Sequence, residues 1–348
     1  MIEKRVFGST QELGDQVMLY TLKAGEYEVS ISTYGGIIVN LLVPDAHGHK
    51  ADIVLGYDTL EGYEKGTAYF GALIGRVANR IKGGSFSVEG RQYHVPCNDN
   101  GVNALHGGPG GLHTKVWHVL TSEVDGAPAV HLSHISEAGE MGFPGTLKVH
   151  VDYILFPEGK LEITYAAIAD RVTPVNLTNH AYFNLAGCEG NVLEHELQLF
   201  CDRYLPVDDQ LIPTGEIVAV RDTPFDFTDG KPIGRDLVSV PGGYDHCMVL
   251  SDEGERLKRC AYVRDPKSGR SMRVYTTMEG VQFYSGNFLN GRDVGRDGTP
   301  YEKHAGFCLE TQHFPDAVNQ PDFPSCLLKP GETYKHTTVL EFNTYIKP

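Results

Sequence analysis

The chain has 348 residues, with 30 Lys+Arg against 45 Asp+Glu and a formal charge of −15. So acidic a chain repels phosphate backbones and anionic lipid surfaces and carries no basic cluster to offset this, which excludes nucleic acid and membrane as partners. Hydrophobic residues at 41% supply a sizeable core, and 40 Gly with 19 Pro, free of collagen period or low-complexity tracts, point to many tight turns between short strands.

The opening Met1-Ile2-Glu3-Lys4-Arg5-Val6 is charged and leads into no apolar run of signal-peptide length, and nowhere do about 18 apolar residues run together. The expectation is a soluble, cytoplasmic protein. Asp58-Thr59-Leu60-Glu61 reads as a helix start with Asp58 as cap, and Gly66 stops that helix within about two turns. Phe86-Ser87-Val88 and Arg91 to Val95 flank Glu89-Gly90 and predict a hairpin. A second is predicted where Leu147, Val149, Val151 and Tyr153 alternate with polar residues and Pro157-Glu158-Gly159-Lys160 turns the chain into Leu161-Glu162-Ile163-Thr164-Tyr165. Cys260 to Val263 and Met272 to Thr276 make a third. Three hairpins and scarce helical periodicity predict an all-β, mostly antiparallel sandwich with a few short helices, residues 1–348 forming one domain.

Seven cysteines, odd in number and without a Cys-x-x-Cys, argue for reduced thiols rather than a disulfide frame or zinc ribbon. The sequon Asn176-Leu177-Thr178 reads as a chance match. Phosphate loops, dinucleotide fingerprints, G-x-S-x-G elbows and H-E-x-x-H helices are absent. His131 and His134 lie three apart in an alternating segment, hence on opposite strand faces, and do not form a metal-ligand pair. The polar islands inside strand-like sequence are the candidates for chemistry: Gly75 to Ile81, Leu105-His106-Gly107-Gly108, Thr178 to Leu185, Gly242 to His246 and Leu309 to Asp316. Singly, each also reads as an ordinary turn, core histidine or solvated strand carboxylate.

Taken together, GRVANRI at 75–81, LHGG at 105–108, TNHAYFNL at 178–185, YDH at 244–246, QFYSGNFL at 282–289 and LETQHFPDAVN at 309–319 resemble the signatures of the aldose 1-epimerases, the galactose mutarotase family, in family order from residue 20 to residue 345. The resemblance implies a galactose mutarotase-like supersandwich with an open cleft and a cofactor-free, metal-free isomerase acting on a free aldohexose. It implies His180 as the acid that protonates the ring oxygen and Glu310 as the base at the anomeric hydroxyl. Asn79, Arg80, His106, Asp245 and Gln282 match sugar-contacting positions, and Tyr182 a pocket wall.

Those roles agree with the chemistry of the residues. Opening a pyranose deprotonates O1 while protonating O5, so one base and one acid suffice. A carboxylate is ionised at neutral pH, and nearby acid groups are expected to hold a histidine protonated. Arg80 and His106 would stabilise charge developing on oxygen, and Asp245 and Gln282 would orient hydroxyls. A hexose-6-phosphate 1-epimerase would need further cations in the site; a non-catalytic sugar-binding protein of the same fold would not need both members of the pair; a glycosidase would use Asp245 with Glu310. Monomer and homodimer are both compatible with the sequence.

Overall fold

The computed structural model describes residues 1–250 and 256–345. Three antiparallel sheets dominate. A five-stranded meander takes Ile2–Ser9, Gln16–Ala24, Tyr27–Ser32, Ile38–Pro44 and Lys50–Asp52 in sequence order. A nine-stranded sheet runs, in spatial order, His118–Val124, Ala127–Ser136, Leu147–Phe156, Lys160–Ala169, Tyr334–Thr344, Arg270–Thr276, Lys258–Arg264, Glu196–Leu199 and Lys231–Pro232. The third sheet orders Val218–Ala219, Cys201–Tyr204, Asp245–Leu250, Gly280–Tyr284 and Cys308–Gln312.

One core cluster draws on all three: Leu22, Val29 and Ile31 from the first, Val149, Val151 and Tyr153 from the second, and Met248, Val281, Phe283 and Leu309 from the third. The nine-stranded sheet therefore packs against both five-stranded sheets, and the sandwich expectation stands. Alternation carries this packing. Leu147, Val149, Val151 and Tyr153 are all buried, while Lys148 and His150 between them are exposed. Phe283 is 1% exposed, and truncating it to Ala would cost about 3–5 kcal/mol.

All three predicted hairpins form. Ser85–Val88 pairs with Arg91–His94 across Glu89 and Gly90, both at positive φ (51° and 74°), the turn geometry that asks for glycine. Leu147–Phe156 pairs with Lys160–Ala169, and Lys258–Arg264 with Arg270–Thr276. The one α-helix among the described residues, Leu60–Lys65, corrects the expected cap by one residue. Thr59, extended at φ −126° and ψ 155°, is the N-cap, and its side chain accepts from the Gly62 N–H at 3.3 Å. Gly66 closes the helix as expected, donating its N–H to the Gly62 carbonyl. All seven cysteines are free. Among the described residues, no helix is long and apolar enough to cross a membrane.

Candidate active site

Strand register assembles one side of the site. In the third sheet Asp245 pairs with Tyr284 and Tyr284 with Cys308, while Cys247 pairs with Gln282 and Gln282 with Glu310. Two adjacent rows of one face thus carry Asp245, Gln282 and Glu310. Two short ribbons bring the opposite side: Arg80–Ile81 against Ala104–Leu105, and Thr178–Asn179 against Leu73–Ile74. His106 and His180 directly follow those ribbon strands. Between the two sides lies a cleft of about 830 Å³ whose walls include Asn79, Arg80, His106, His180, Tyr182, Asp245 and Glu310.

His180 and Glu310 face each other, with Nε2 and Oε1 3.6 Å apart, 5% and 3% exposed as residues. That separation is an ion-pair distance and too long for a hydrogen bond. Glu310 Oε2 is buried with no hydrogen-bond partner. The His180 ring lies beside Tyr182 (5.2 Å between centroids), His106 (5.1 Å) and Tyr69 (5.8 Å), with Cys308 Sγ 3.7 Å from its Nδ1.

Burial reverses the protonation expected from the sequence. Loss of solvent pushes the His180 imidazole down to about 4, helped by His113, and lifts the Glu310 carboxyl well above the carboxylate range, helped by Asp245 and opposed by Arg80. Nearby acid groups therefore do not hold His180 charged. Desolvation outweighs a charge partner at 3.6 Å.

Arg80 is buried and anchored: its Nε donates to Asp99 Oδ2 at 2.8 Å, and Nη1 lies 3.8 Å from Asp245 Oδ2. Burial lifts the Asp245 carboxyl; Arg80 and a hydrogen bond from Gln282 Nε2 at 2.7 Å pull it back. Gln282 departs from the expected arrangement. It does not line the cleft but sits buried, holding Asp245 while its own Oε1 has no partner. It fixes the Asp245 carboxylate from behind rather than forming part of the wall.

Asn79 and His106, both at positive φ (62° and 54°), lock each other: the His106 N–H donates to the Asn79 carbonyl at 3.0 Å, and the Asn79 N–H donates to His106 Nδ1 at 3.2 Å. With Nδ1 accepting, the neutral ring carries its proton on Nε2. Burial, with His180, Arg80 and His113, keeps that ring neutral, well below the usual histidine range. His106, His180 and Glu310 bring donor atoms within 4.8 Å of one another, the closest approach to a metal-ligand trio among the described residues. Yet the fixed tautomer of His106 offers an N–H instead of a lone pair, so the trio suits a hydrogen-bond acceptor better than a cation.

Three site residues escaped the sequence reading. Asp99 anchors Arg80 but sits in Asn98-Asp99-Asn100-Gly101, which reads as a turn. Tyr69 packs edge-on against His106 at 4.8 Å, and Phe288, 65% exposed at the rim, stacks on Tyr284 at 5.9 Å. Phe288 stood inside the quoted word QFYSGNFL. Conversely, Arg76 of GRVANRI is no site residue: its buried guanidinium donates to Ser136, Glu137, Pro144 and Gly145 and latches loops behind the cleft.

An unbonded acid–base pair, walled by neutral and charged hydrogen-bonding groups in an all-antiparallel sandwich, is the equipment of an enzyme that moves protons on a small hydroxylated molecule. The profile of the aldose 1-epimerase family matches residues 18–341. Galactose mutarotase from Rattus norvegicus is 47% identical over 347 residues, covering 98% of each chain, and aldose 1-epimerase from Escherichia coli (strain K12) is 37% identical over 321 residues, covering 90% of this chain and 91% of its own. The solved aldose epimerase homologue from C. elegans superposes with a TM-score of 0.85 at 31% identity, covering 94% of this chain and 100% of that one. The chain belongs to the aldose 1-epimerase family, a family of isomerases.

Proposed function

We propose that this chain is a mutarotase, a single-domain cytoplasmic enzyme, monomeric or homodimeric, that interconverts the α and β anomers of free hexoses such as D-galactose and D-glucose. The observation that carries the reading is the His180–Glu310 pair, buried, unbonded and facing one cleft. Glu310 takes the proton of the anomeric hydroxyl as His180 gives one to the ring oxygen; C1–O5 breaks, C1–C2 rotates, and the pair closes the ring with roles exchanged. The direction written here starts with the pair's one proton on His180, so a proton resting on Glu310 first crosses to the imidazole 3.6 Å away. Arg80 and the His106 Nε2–H stabilise charge developing on oxygen, Asp245 and Asn79 bind hydroxyls, Tyr182 walls the ring, and Gln282 acts by fixing Asp245. No step of this mechanism calls on a metal or cofactor.

A hexose 6-phosphate fits the cleft less well. Among the described residues Arg80 is the only Lys or Arg in its walls and is already held by Asp99, while Asp99, Asp208, Asp209, Asp245, Asp293 and Glu310 make those walls acidic. Polarimetry of freshly dissolved α-D-galactose and α-D-glucose tests the reading: the protein should speed the approach to anomeric equilibrium of at least one sugar and leave an aryl glycoside intact. A rate equal to buffer for both sugars would refute it.

A further inference from the structure

The outer face of the nine-stranded sheet carries a second acid–base chain, none of whose members lines the cleft. Ser122 Oγ lies 2.7 Å from His131 Nε2, and His131 Nδ1 lies 2.7 Å from Asp152 Oδ1. Register sets this spacing. His131 is the cross-strand partner of Asp152, and Ser122, which pairs with Ala129, reaches His131 along the diagonal. A carboxylate only accepts, so the proton of the second bond sits on Nδ1; Nε2 then keeps its lone pair and the serine hydroxyl donates to it. Nucleophile, base and orienting acid thus stand in the order that acyl transfer uses.

Two further observations point to a substrate. His118–Val124 is an edge strand of its sheet, joined to Ala127–Ser136 by the two-residue turn Asp125-Gly126 with φ 50° and 79°. A turn of that kind makes Val124–Ala127 a hydrogen-bonded pair. By alternation Ser122–Ala129 is the next, so the N–H groups of Thr121 and Glu123 point off the edge. The Glu123 N–H, on the residue after the serine, is a free donor for a developing oxyanion. On the same face, the partly exposed Val124 and Phe156 pack on the buried Ala127, Ala129 and Ile154 and form a small apolar patch beside Ser122.

We propose that Ser122 is a nucleophile toward simple carboxylic esters with short apolar acyl groups, with His131 as its base and Asp152 as the residue that orients the imidazole. His131 Nε2 takes the hydroxyl proton as the Oγ–C bond forms. The ester C–O bond then breaks, and the same proton leaves with the alcohol. Water, deprotonated by His131, cleaves the acyl-serine to carboxylic acid and restores the hydroxyl. The side chains of His131 and Asp152 are 31% and 38% exposed, so the pair works in screened surroundings and the activity is slow beside that of a buried triad.

The test uses the intact protein with p-nitrophenyl butyrate as ester and a fluorophosphonate probe with peptide mapping by mass spectrometry. Ser122→Ala and His131→Gln should each cut p-nitrophenol release by about tenfold or more, and the wild-type adduct should map to Ser122. Thermal melting and sugar anomerisation should stay at wild-type levels, because neither residue belongs to the core or the cleft. Wild-type ester cleavage in Ser122→Ala, absence of an adduct, or an adduct on another residue would each overturn the proposal.

Discussion

Two histidine–carboxylate pairs each draw one member from the strand Cys308–Gln312 or the residue just beyond it and are built in opposite ways. Glu310 faces His180 at 3.6 Å without a hydrogen bond, and its Oε2 has no partner. His313, just beyond the same strand, is in direct hydrogen-bond contact with Glu279 and packs against His336 (5.3 Å) and Tyr334 (5.9 Å). Burial alone would lift both carboxyls. For Glu279 the hydrogen bond and charge of His313 outweigh it and hold the acid below its ordinary range, whereas nothing comparable answers it at Glu310, which rises. The satisfied pair is at rest and holds strands together. The unsatisfied one lies against an open cleft, the arrangement that the proposed proton exchange requires.

The strongest way to break this contrast is to exchange which pair is damaged. Glu310→Gln and His180→Asn should each lower kcat by about 10²-fold or more, the range for losing a positioned acid or base, with the fold intact by circular dichroism. Glu279→Gln removes an equally intimate pair and should leave kcat within about threefold. Comparable losses in both variants, followed by polarimetry, would mean that proximity and not openness decides function.

Much of this organisation is legible in the sequence, and the limits are physical. The hairpins are local: alternation and turn residues such as Glu89-Gly90 and Pro157 to Lys160 specify them. The insertion of Tyr334–Thr344 between Lys160–Ala169 and Arg270–Thr276 is not, because period-two alternation tells which face a residue takes and never which strand lies beside it. His180, Glu310, Arg80 and Asp245 stand out as polar residues interrupting strand-like sequence, and the cleft gathers them. Asp99 was hidden by turn-forming neighbours. The direction in which His180 and Glu310 shift was hidden for another reason: it depends on how completely distant strands exclude water from two side chains that lie far apart in sequence.

The next contrast lies within the site, between a group on the wall and the group behind it. Asp245→Ala removes a charged hydrogen-bond partner of a hydroxyl and should raise KM about tenfold. Gln282→Ala leaves the wall in place but frees Asp245, so it should raise KM less, and a Gln282→Glu variant, unable to donate to Asp245 when ionised, should not recover it. An unchanged KM in Asp245→Ala would remove that residue from the sugar contacts.

The pH profile reads the proton count of the pair. Activity requires one proton, so kcat/KM should fall on the acid side as a second proton enters at His180, near its value of about 4, and on the alkaline side as the single proton leaves. Since burial lifts the carboxyl that holds it, the alkaline limb should lie above the ordinary carboxylate range. A chelator should leave the whole bell in place, the expected result for a mechanism routed through protons alone. Loss of activity in EDTA with recovery on adding zinc would reassign His106, His180 and Glu310 as ligands.

The smallest effect separates the two carboxylates by sign. The folded protein holds a proton on Glu310 at pH values where the unfolded chain, with its ordinary value of 4.5, has released it, so Glu310 makes stability fall as pH rises through that window. Glutamine cannot titrate. Glu310→Gln should therefore match wild type in acid and gain relative stability as pH rises to neutral. Glu279 runs the other way. Its folded value lies below the ordinary one, so it adds stability above that ordinary value and loses it as pH falls, and Glu279→Gln should be destabilised at neutral pH and approach wild type in acid. Calorimetric melting of both variants at an acid and a neutral pH measures the pair of slopes. If both variants shifted stability in the same direction at neutral pH, the catalytic carboxylate would be no less satisfied than the structural one, and the distinction between a resting pair and an available pair would fail.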